Sequence, residues 1–277
     1  MSVNLPYFDL VLRRLDQRHP AFELAFGRHV HWGYWADPSK ADLTAESYAV
    51  AAEALSQQVY GAAQVADGQH ILDVGCGFGG TVASLNENFS NLNLVGVNID
   101  ERQLERARQK VIALPGNKVE FKQGDACQLP IADQAFDRVL AVECVFHFPD
   151  RARFFAEAFR VLKPGGYLAL SDFPPPAWFA PIARLGARSK ELSQLFGHCS
   201  VCTLGGYRKL ARETGFEFTF EKDITKNTLP TYAFLLDLRR QITGEISGGD
   251  VLATRGLQFV SRVGALRYQV LAFRKPG

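Results

Sequence analysis

The sequence contains no long apolar segment and no cluster of basic residues. No apolar run reaches the roughly 18 residues that indicate a membrane span, and the amino terminus has no basic stretch leading into an apolar core. The 31 Lys and Arg residues are nearly balanced by 29 Asp and Glu residues, and the basic residues are dispersed. We therefore expect a cytoplasmic protein whose partners are neither membranes nor nucleic acid.

Cysteine is scarce, and its spacing does not indicate a metal centre. The five cysteines are Cys76, Cys127, Cys144, Cys199 and Cys202. The last two form the only CxxC pair, and a zinc site would need two further ligands, of which His198 alone is adjacent. Ordinary reduced thiols are the expectation, and no metal is predicted.

The amino-terminal part of the chain is expected to be helical. Within residues 1–68, a stretch without Gly or Pro has apolar residues at the spacing of an amphipathic helix. These residues are Tyr48, Ala51, Ala52, Leu55 and Val59. This segment precedes the sheet and is not part of it.

From residue 70 onward, short β-branched runs alternate with helical patterns. The expected strands are residues 71–74, 94–99, 119–121, 138–144 and 166–171, followed by 216–220 and 266–273. Asp100 and Asp150 can cap two connecting helices, and the Pro-Gly-Gly at 164–166 should stop the second one. This alternation predicts a parallel sheet with helices on both faces.

The most informative motif is a strand that runs into a glycine turn. Residues 71–80 read ILDVGCGFGG, where glycines let a ligand come close to the backbone and the next helix begins with unpaired N–H groups. Gly75, Gly77 and Gly80 also match GxGxxG, so a nicotinamide or flavin oxidoreductase is a competing interpretation.

Asp73, two residues before the first glycine, favours another ligand. A pyrophosphate gains nothing from a carboxylate there, whereas the ammonium and sulfonium groups of S-adenosylmethionine are cationic. The alternative is that Asp73 caps its own turn.

Asn98 and Asp125 follow the next two strands. Asn98 can bind ribose hydroxyls, although more weakly than a carboxylate, or it can merely end its strand. Asp125 can accept from the adenine amine, or it can bond to its own turn.

Together these segments resemble class I S-adenosylmethionine-dependent methyltransferases, specifically the type 11 domain of small-molecule biosynthesis. The resemblance covers about residues 45–175 and includes GDACQLPIADQAFDRV at 124–139, ECVFHFPDRARFFAEAFRVLKPGG at 143–166 and SDF at 171–173. It implies an α/β fold: a Rossmann-like, doubly wound, seven-stranded sheet of order 3-2-1-4-5-7-6, with its last strand antiparallel, and a helical lid.

The resemblance implies a single catalytic domain with three parts. Residues 1–68 would form a helical lid and cofactor cover, residues 69–173 the cofactor-binding core, and residues 174–277 lid insertions with the last strands. The implied contacts of S-adenosylmethionine, which leaves as S-adenosylhomocysteine, are Asp73, Gly75, Cys76, Gly77, Asn98, Ile99, Gln103, Asp125, Ala126 and Glu143.

The segment HWGYW at 31–35 is similar to one that precedes the fold in γ-tocopherol, sterol and sugar methyltransferases. This similarity implies that Tyr34 and Trp35 cover the methionine end of the cofactor, and aromatic faces do attract a sulfonium. The alternative is an aromatic plug that packs the amino-terminal helices.

The resemblance also points to a proton acceptor. Related sugar O-methyltransferases have a His-His pair after the fourth strand and an Asp after the fifth, and this chain has Phe146-His147 and Asp172. His147 is the first candidate base, since it titrates near neutrality, and Asp172 would orient it or bind substrate. The alternative is that His147 is packed under the lid; His31 is a second candidate base.

The substrate is expected to be a small, apolar or aromatic natural product that receives a methyl group on a hydroxyl oxygen. The residues expected to line the lid, which could equally form its core, are Phe173, Trp178, Phe179, Phe196, Tyr232, Phe234 and Leu235. Transfer to carbon or nitrogen, and a cyclisation or rearrangement without methyl transfer, are the alternatives. Monomer and homodimer both remain open.

Overall fold

A computed structural model describes residues 6–189, 192, 193, 197, 199–243 and 248–277. Phe196 and His198, considered above, lie outside these residues. Within them, the chain folds around one twisted sheet that carries helices on both faces.

The sheet has seven strands in the order β3-β2-β1-β4-β5-β7-β6. The strands are β1 (His70–Val74), β2 (Asn93–Asn98), β3 (Lys118–Gln123), β4 (Phe136–Ala141), β5 (Leu162–Asp172), β6 (Glu217–Asp223) and β7 (Gln269–Arg274). Strand β7 runs antiparallel to both of its neighbours, whereas β1 to β5 are parallel. The predicted α/β class, strand order and antiparallel last strand are confirmed.

Helices precede, connect and follow these strands. Those before and within the sheet are α1 (Pro6–Asp16), α2 (Pro20–Phe26), α3 (Ala45–Ala62), α4 (Gly80–Asn88), α5 (Glu101–Lys110) and α6 (Arg151–Val161), with short 3₁₀ turns at Pro38–Lys40 and Val145–His147. Those after β5 are α7 (Ala180–Ala187), α8 (Leu204–Thr214), α9 (Thr225–Thr228), α10 (Pro230–Thr243) and α11 (Gly249–Arg262). None of the helices that the structure describes is long and apolar enough to cross a membrane.

Local sequence signals explain where several helices begin. The side chains of Thr44, Asp100 and Asp150 accept hydrogen bonds from the first backbone N–H groups of α3, α5 and α6, as expected of cap residues. The five apolar residues that predicted α3 are all buried on its inner face. The helical prediction for this segment and both predicted aspartate caps are therefore confirmed.

Two strand boundaries differ from the sequence prediction. Strand β5 begins at Leu162 rather than at residue 166, because Gly165 and Gly166 exchange backbone hydrogen bonds with Lys275 after β7. Strand β4 ends at Ala141 rather than at residue 144, because Glu143 takes a left-handed backbone conformation with φ of 51°. The second difference places Glu143 at a bend beside the glycine loop.

The core has two layers that cover the faces of the sheet, and a third cluster under the amino-terminal helices. One face packs against α3, α4 and α5, and the other against α6 and α8. The third cluster joins α1, α2 and the start of α3 to α10. Together these clusters hold the amino-terminal helices against the carboxyl edge of the parallel strands.

Charged contacts also attach the amino-terminal helices to the core. Arg106 of α5 donates to the Glu23 carboxylate at 2.5 Å and to the carbonyl oxygen of Gly27, the last residue of the α2 cap, at 3.1 Å. Arg102 pairs with Asp9 of α1 at 2.9 Å. Since Arg106 is mostly buried, its contacts are shielded from water more than those of Arg102.

We expect Arg106→Ala to lower the free energy of unfolding by about 1–2 kcal/mol, because it removes charge-assisted bonds to a helix end and to Glu23. Lys110→Ala is the matched control, since Lys110 is an exposed residue of α5 that lies 3.6 Å from Glu23, and it should change stability by less than about 0.5 kcal/mol. Urea unfolding followed by circular dichroism measures both. Equal effects of the two substitutions would contradict this account.

Candidate active site

The glycine turn after β1 is built for close packing. Gly75, Gly77 and Gly79 all have positive φ, and helix α4 starts at Gly80. A Cβ atom on Gly75 would lie 2.7 Å from the Cys144 sulfur, so a larger residue would clash as well as strain the backbone. This turn therefore brings the ends of β1 and β4 together.

A cavity opens above this turn. Its wall includes most of the residues expected to bind the cofactor, together with the candidate base: Asp73, Gly75, Cys76, Gly77, Asn98, Ile99, Gln103, Asp125, Ala126, Glu143 and His147. These positions, which are dispersed along the sequence, converge because parallel strands end at one edge of the sheet.

Asp73 is a buried acid on the wall of the cavity. Its side chain is 2% exposed, and its Oδ1 atom has no hydrogen-bond partner among the described residues. Burial raises the pKa of this carboxyl group to about 7. A buried carboxylate without a protein partner suits a cationic ligand, so the site fits the ammonium and sulfonium of S-adenosylmethionine.

Asn98 and Gln103 form a polar pair on the wall formed by β2 and α5. The Asn98 Nδ2 atom donates to Gln103 Oε1 at 2.9 Å, and the backbone N–H of Ile99 donates to Asn98 Oδ1 at 2.8 Å. Asp125 accepts from the N–H of Cys127 at 2.8 Å, so it bonds to its own turn and also lines the cavity. Each side chain can still offer an unused lone pair to a hydroxyl or amine.

Glu143 lies at the bend after β4, where a non-glycine residue with positive φ is strained. One carboxylate oxygen accepts from the Tyr268 hydroxyl at 2.6 Å and from the backbone N–H of Trp32 at 3.0 Å. Burial raises the pKa of Glu143 to about 8. Sequence reasoning identified Glu143 but not Tyr268, which immediately precedes β7 and has no local motif.

His147 closes the 3₁₀ turn Val145–His147 and is almost fully buried. Its Nε2 atom lies 3.3 Å from the hydroxyl of Tyr7, and its Nδ1 atom lies 3.9 Å from the sulfur of Cys199. The rings of Tyr7 and His147 stack with centroids 5.7 Å apart. Tyr7 also lines the cavity and was not identified from the sequence, because only the docking of α1 brings it there.

Asp172 does not line the cavity, although the sequence predicted a catalytic role for it. Its Oδ2 atom accepts from Arg151 at 2.9 Å and from the hydroxyl of Tyr207, and its Oδ1 atom accepts from the N–H of Phe173 at 2.7 Å. The carboxylate is thus engaged in a buried network with Arg151 and Tyr207. The structure does not bring it into contact with His147.

The structure does not bring Tyr34 and Trp35 to the cavity either. Trp35 is buried in the cluster under the amino-terminal helices, where its Nε1 atom donates to Ser47 at 3.3 Å. The Tyr34 ring lies under the Lys222 ammonium at 5.2 Å. This packing corresponds to the alternative of an aromatic plug. The part of the amino-terminal segment that lines the cavity is residues 28–31.

His31 and the aromatic lid residues also serve mainly in packing. Both nitrogens of the His31 ring are bonded, to the Trp32 carbonyl at 2.9 Å and to Ser56 at 3.1 Å, and burial lowers the pKa of His31 to about 3. Phe234 stacks on Tyr48 inside the third core cluster, and Trp178 is 69% exposed. His31 therefore lines the cavity but is not positioned to take a proton, and neither Phe234 nor Trp178 lines the cavity.

No group of three or more possible metal ligands occurs within the described part of the chain. Cys199 faces His147, whereas the sulfur of Cys202 bonds to the backbone oxygen of Thr203. The two thiols of the CxxC pair thus point to different partners.

Known proteins resemble this chain in sequence and in fold. A family model of the methyltransferase domain matches residues 72–170. The chain is 33% identical over 260 residues to 27-O-demethylrifamycin SV methyltransferase of Amycolatopsis mediterranei, and the match covers 91% of each protein. It is 34% identical over 223 residues to methyltransferase GfsG of Streptomyces halstedii, which covers 78% of this chain and 76% of that protein.

Among solved structures, the [4+2]-cyclase SpnF has a TM-score of 0.71 at 22% identity, covering 100% of this chain and 99% of that chain. This likeness concerns the fold alone. The fold and the cavity define a class I S-adenosylmethionine-dependent methyltransferase. Within that class, the chain belongs to the family of methyltransferases that act on small molecules, and the corresponding sequence prediction is confirmed.

We expect the affinity for S-adenosylhomocysteine to rise up to about tenfold from pH 6 to pH 8. The folded-state pKa of Asp73 is raised to about 7, so the carboxyl is largely neutral at pH 6 and ionised at pH 8, and only the ionised form attracts the ligand's ammonium group. Calorimetric titration at both pH values measures this difference.

Two variants assign that pH dependence to one residue. Asp73→Asn should bind weakly at both pH values, whereas Glu143→Gln should retain the rise, although Glu143 also titrates near this range. A wild-type affinity that does not change between pH 6 and pH 8 would contradict the assignment, as would a rise that survives Asp73→Asn.

Proposed function

We propose that the protein transfers the methyl group of S-adenosylmethionine to a hydroxyl oxygen of an apolar natural product. The observation that carries this proposal is that one cavity holds both an unpartnered buried acid, Asp73, and a histidine–tyrosine pair, His147 and Tyr7. A relative that matches over 91% of this chain is named for methylation at an oxygen of a rifamycin, which supports the choice of oxygen.

The residues on the β1 and β2 side of the cavity would hold the cofactor. Asp73 would bind its cationic end, while the pair Asn98 and Gln103 would bind the ribose and Asp125 the adenine amine. When bound there, S-adenosylmethionine supplies a methyl group that its sulfonium already activates. The protein therefore has to orient the acceptor, exclude water and remove one proton.

His147 is the group that would remove the proton. Tyr7 lines the cavity and lies at hydrogen-bond distance from His147 Nε2, so its hydroxyl can relay the proton of a bound acceptor to the ring. On the other side of the ring, burial raises the pKa of Cys199 to about 12, which keeps this group a neutral thiol beside Nδ1.

Asp172 would act as a positioning residue, not as a substrate contact. It holds Arg151, which donates to the Ser200 hydroxyl at 2.7 Å, and the N–H of Ser200 donates to the Phe146 carbonyl at 2.7 Å. This chain of contacts ties the segment that carries Cys199 to the turn that carries His147. The proposed role of Asp172 is therefore to fix the environment of the base.

Part of the cavity wall suits an apolar acceptor. Besides Tyr7, the lining includes Phe8, Phe148 and Pro149, which offer aromatic and aliphatic surface without charge. We also place the enzyme in a reducing compartment, the cytoplasm, since all five cysteines are free thiols. A homodimer stays a prediction.

We expect His147→Ala to lower kcat for the cognate acceptor about a hundredfold or more, and Tyr7→Phe to lower it about tenfold, because both remove parts of one proton path. Affinity for S-adenosylhomocysteine should stay within about twofold of wild type, since the cofactor contacts lie elsewhere. Transfer of a labelled methyl group to a panel of hydroxylated polyketides measures kcat, and the corresponding methyl ethers serve as inert acceptors.

Tyr167→Phe is the matched control for Tyr7→Phe, because Tyr167 lies on β5 under Arg138 and outside the cavity wall. It should leave kcat unchanged. Methylation of an ether-protected substrate, or full activity of His147→Ala, would show that the acceptor is not a hydroxyl activated by this pair.

A further inference from the structure

Residues 28–31 lie directly across the start of helix α4. A Cβ atom on Gly80 would collide with the Nδ1 atom of His29 and with the carbonyl oxygen of Arg28, so the two segments are in close contact there. His29 is 4% exposed and lines the same cavity as Asp73. The amino-terminal segment is therefore a wall of the cofactor cavity, at the end where the glycine turn enters α4.

The protonation of His29 follows from its partner. Its Nε2 atom lies 2.9 Å from a carboxylate oxygen of Glu53 on α3. Burial alone would raise the pKa of Glu53, but hydrogen bonds from His29 and Ser84 bring it down to about 2, so this group is a carboxylate that can only accept. Burial lowers the pKa of His29, which keeps the ring neutral near pH 7.

These two facts determine which ring nitrogen carries the proton. A neutral histidine has one N–H, and the Glu53 carboxylate requires that N–H at Nε2, which leaves Nδ1 as a hydrogen-bond acceptor. Among the residues that the structure describes, Glu53 is the hydrogen-bond partner of the His29 side chain. Glu53 therefore orients an acceptor nitrogen at the cavity wall.

We propose that His29 recognises the amino-acid end of S-adenosylmethionine, with Nδ1 accepting a hydrogen bond from the ammonium group that Asp73 attracts by charge. An ammonium group has three N–H donors and needs several acceptors once it leaves water. Asp73 Oδ1 supplies one and His29 Nδ1 supplies another. The first N–H groups of α4, next to His29, provide donors for the carboxylate of the same ligand.

This inference rests on the cofactor assignment and adds a specificity-determining residue to it. It also explains why the chain has a histidine here: a lysine or arginine would repel the ammonium, and an aspartate would lack the reach to Glu53 and would repel both carboxylates. The amino-terminal segment thus acts in cofactor recognition as well as in covering the site.

The test compares two ligands that differ only at that end. S-adenosylhomocysteine carries the amino-acid group, whereas 5′-methylthioadenosine has the same adenosine and sulfur but lacks it. We expect His29→Ala to weaken binding of S-adenosylhomocysteine about tenfold or more, and to leave binding of methylthioadenosine within about twofold. His29→Asn, whose amide oxygen can lie near the former Nδ1 position, should restore most of the loss.

His70→Ala is the matched control, since His70 is an exposed histidine at the start of β1, and it should leave both affinities unchanged. Calorimetry on the full-length protein measures all of these affinities, and circular dichroism checks that each variant folds. Equal losses for both ligands would overturn the proposal, because His29 would then only support the cavity wall. Unchanged binding of S-adenosylhomocysteine by His29→Ala would overturn it too, while methylthioadenosine binding would still report on the cofactor assignment.

Discussion

The buried carboxylate of Asp73 is the constraint around which the site is arranged. Burial away from water destabilises the charged form of this acid, and burial therefore raises the pKa of Asp73 to about 7. Such a group is tolerated where a bound cation compensates its charge. Binding of the cation then relieves the unfavourable free energy of the buried carboxylate, which favours a cationic ligand over a neutral or anionic one. The glycine turn and residues 28–31 line the same cavity as this carboxylate.

The amino-terminal helices complete the cavity from two directions. Tyr7 of α1 reaches His147 on the acceptor side, and His29 after α2 reaches the start of α4 on the cofactor side. Charged contacts between α5 and these helices, centred on Arg106, fix both residues relative to the sheet. If these residues have the roles proposed for them, a change in the docking of the amino-terminal helices would alter cofactor binding and proton removal together.

The sheet could be predicted from sequence because its signals are local. The period of α3, the caps Asp100 and Asp150, and the glycine turn that follows Asp73 each depend on residues a few positions apart. The cover could not be predicted in this way, since Tyr7 and His147 are 140 positions apart and meet only through tertiary packing. Tertiary packing also decides which part of the amino-terminal segment lines the cavity: the HWGYW motif suggested Tyr34, whereas residues 28–31 form the wall. The bonds that Asp172 makes with Arg151 and Tyr207 likewise join distant parts of the chain, so the sequence did not indicate them.

The central claim is that the glycine turn with its buried acid binds an S-adenosyl cofactor and not a dinucleotide. Calorimetric titration of the wild-type protein with S-adenosylhomocysteine, NAD and NADP under identical conditions tests it most directly. The account predicts one-site binding of S-adenosylhomocysteine at micromolar concentration and no heat from either dinucleotide. Binding of NAD or NADP without binding of S-adenosylhomocysteine would contradict it.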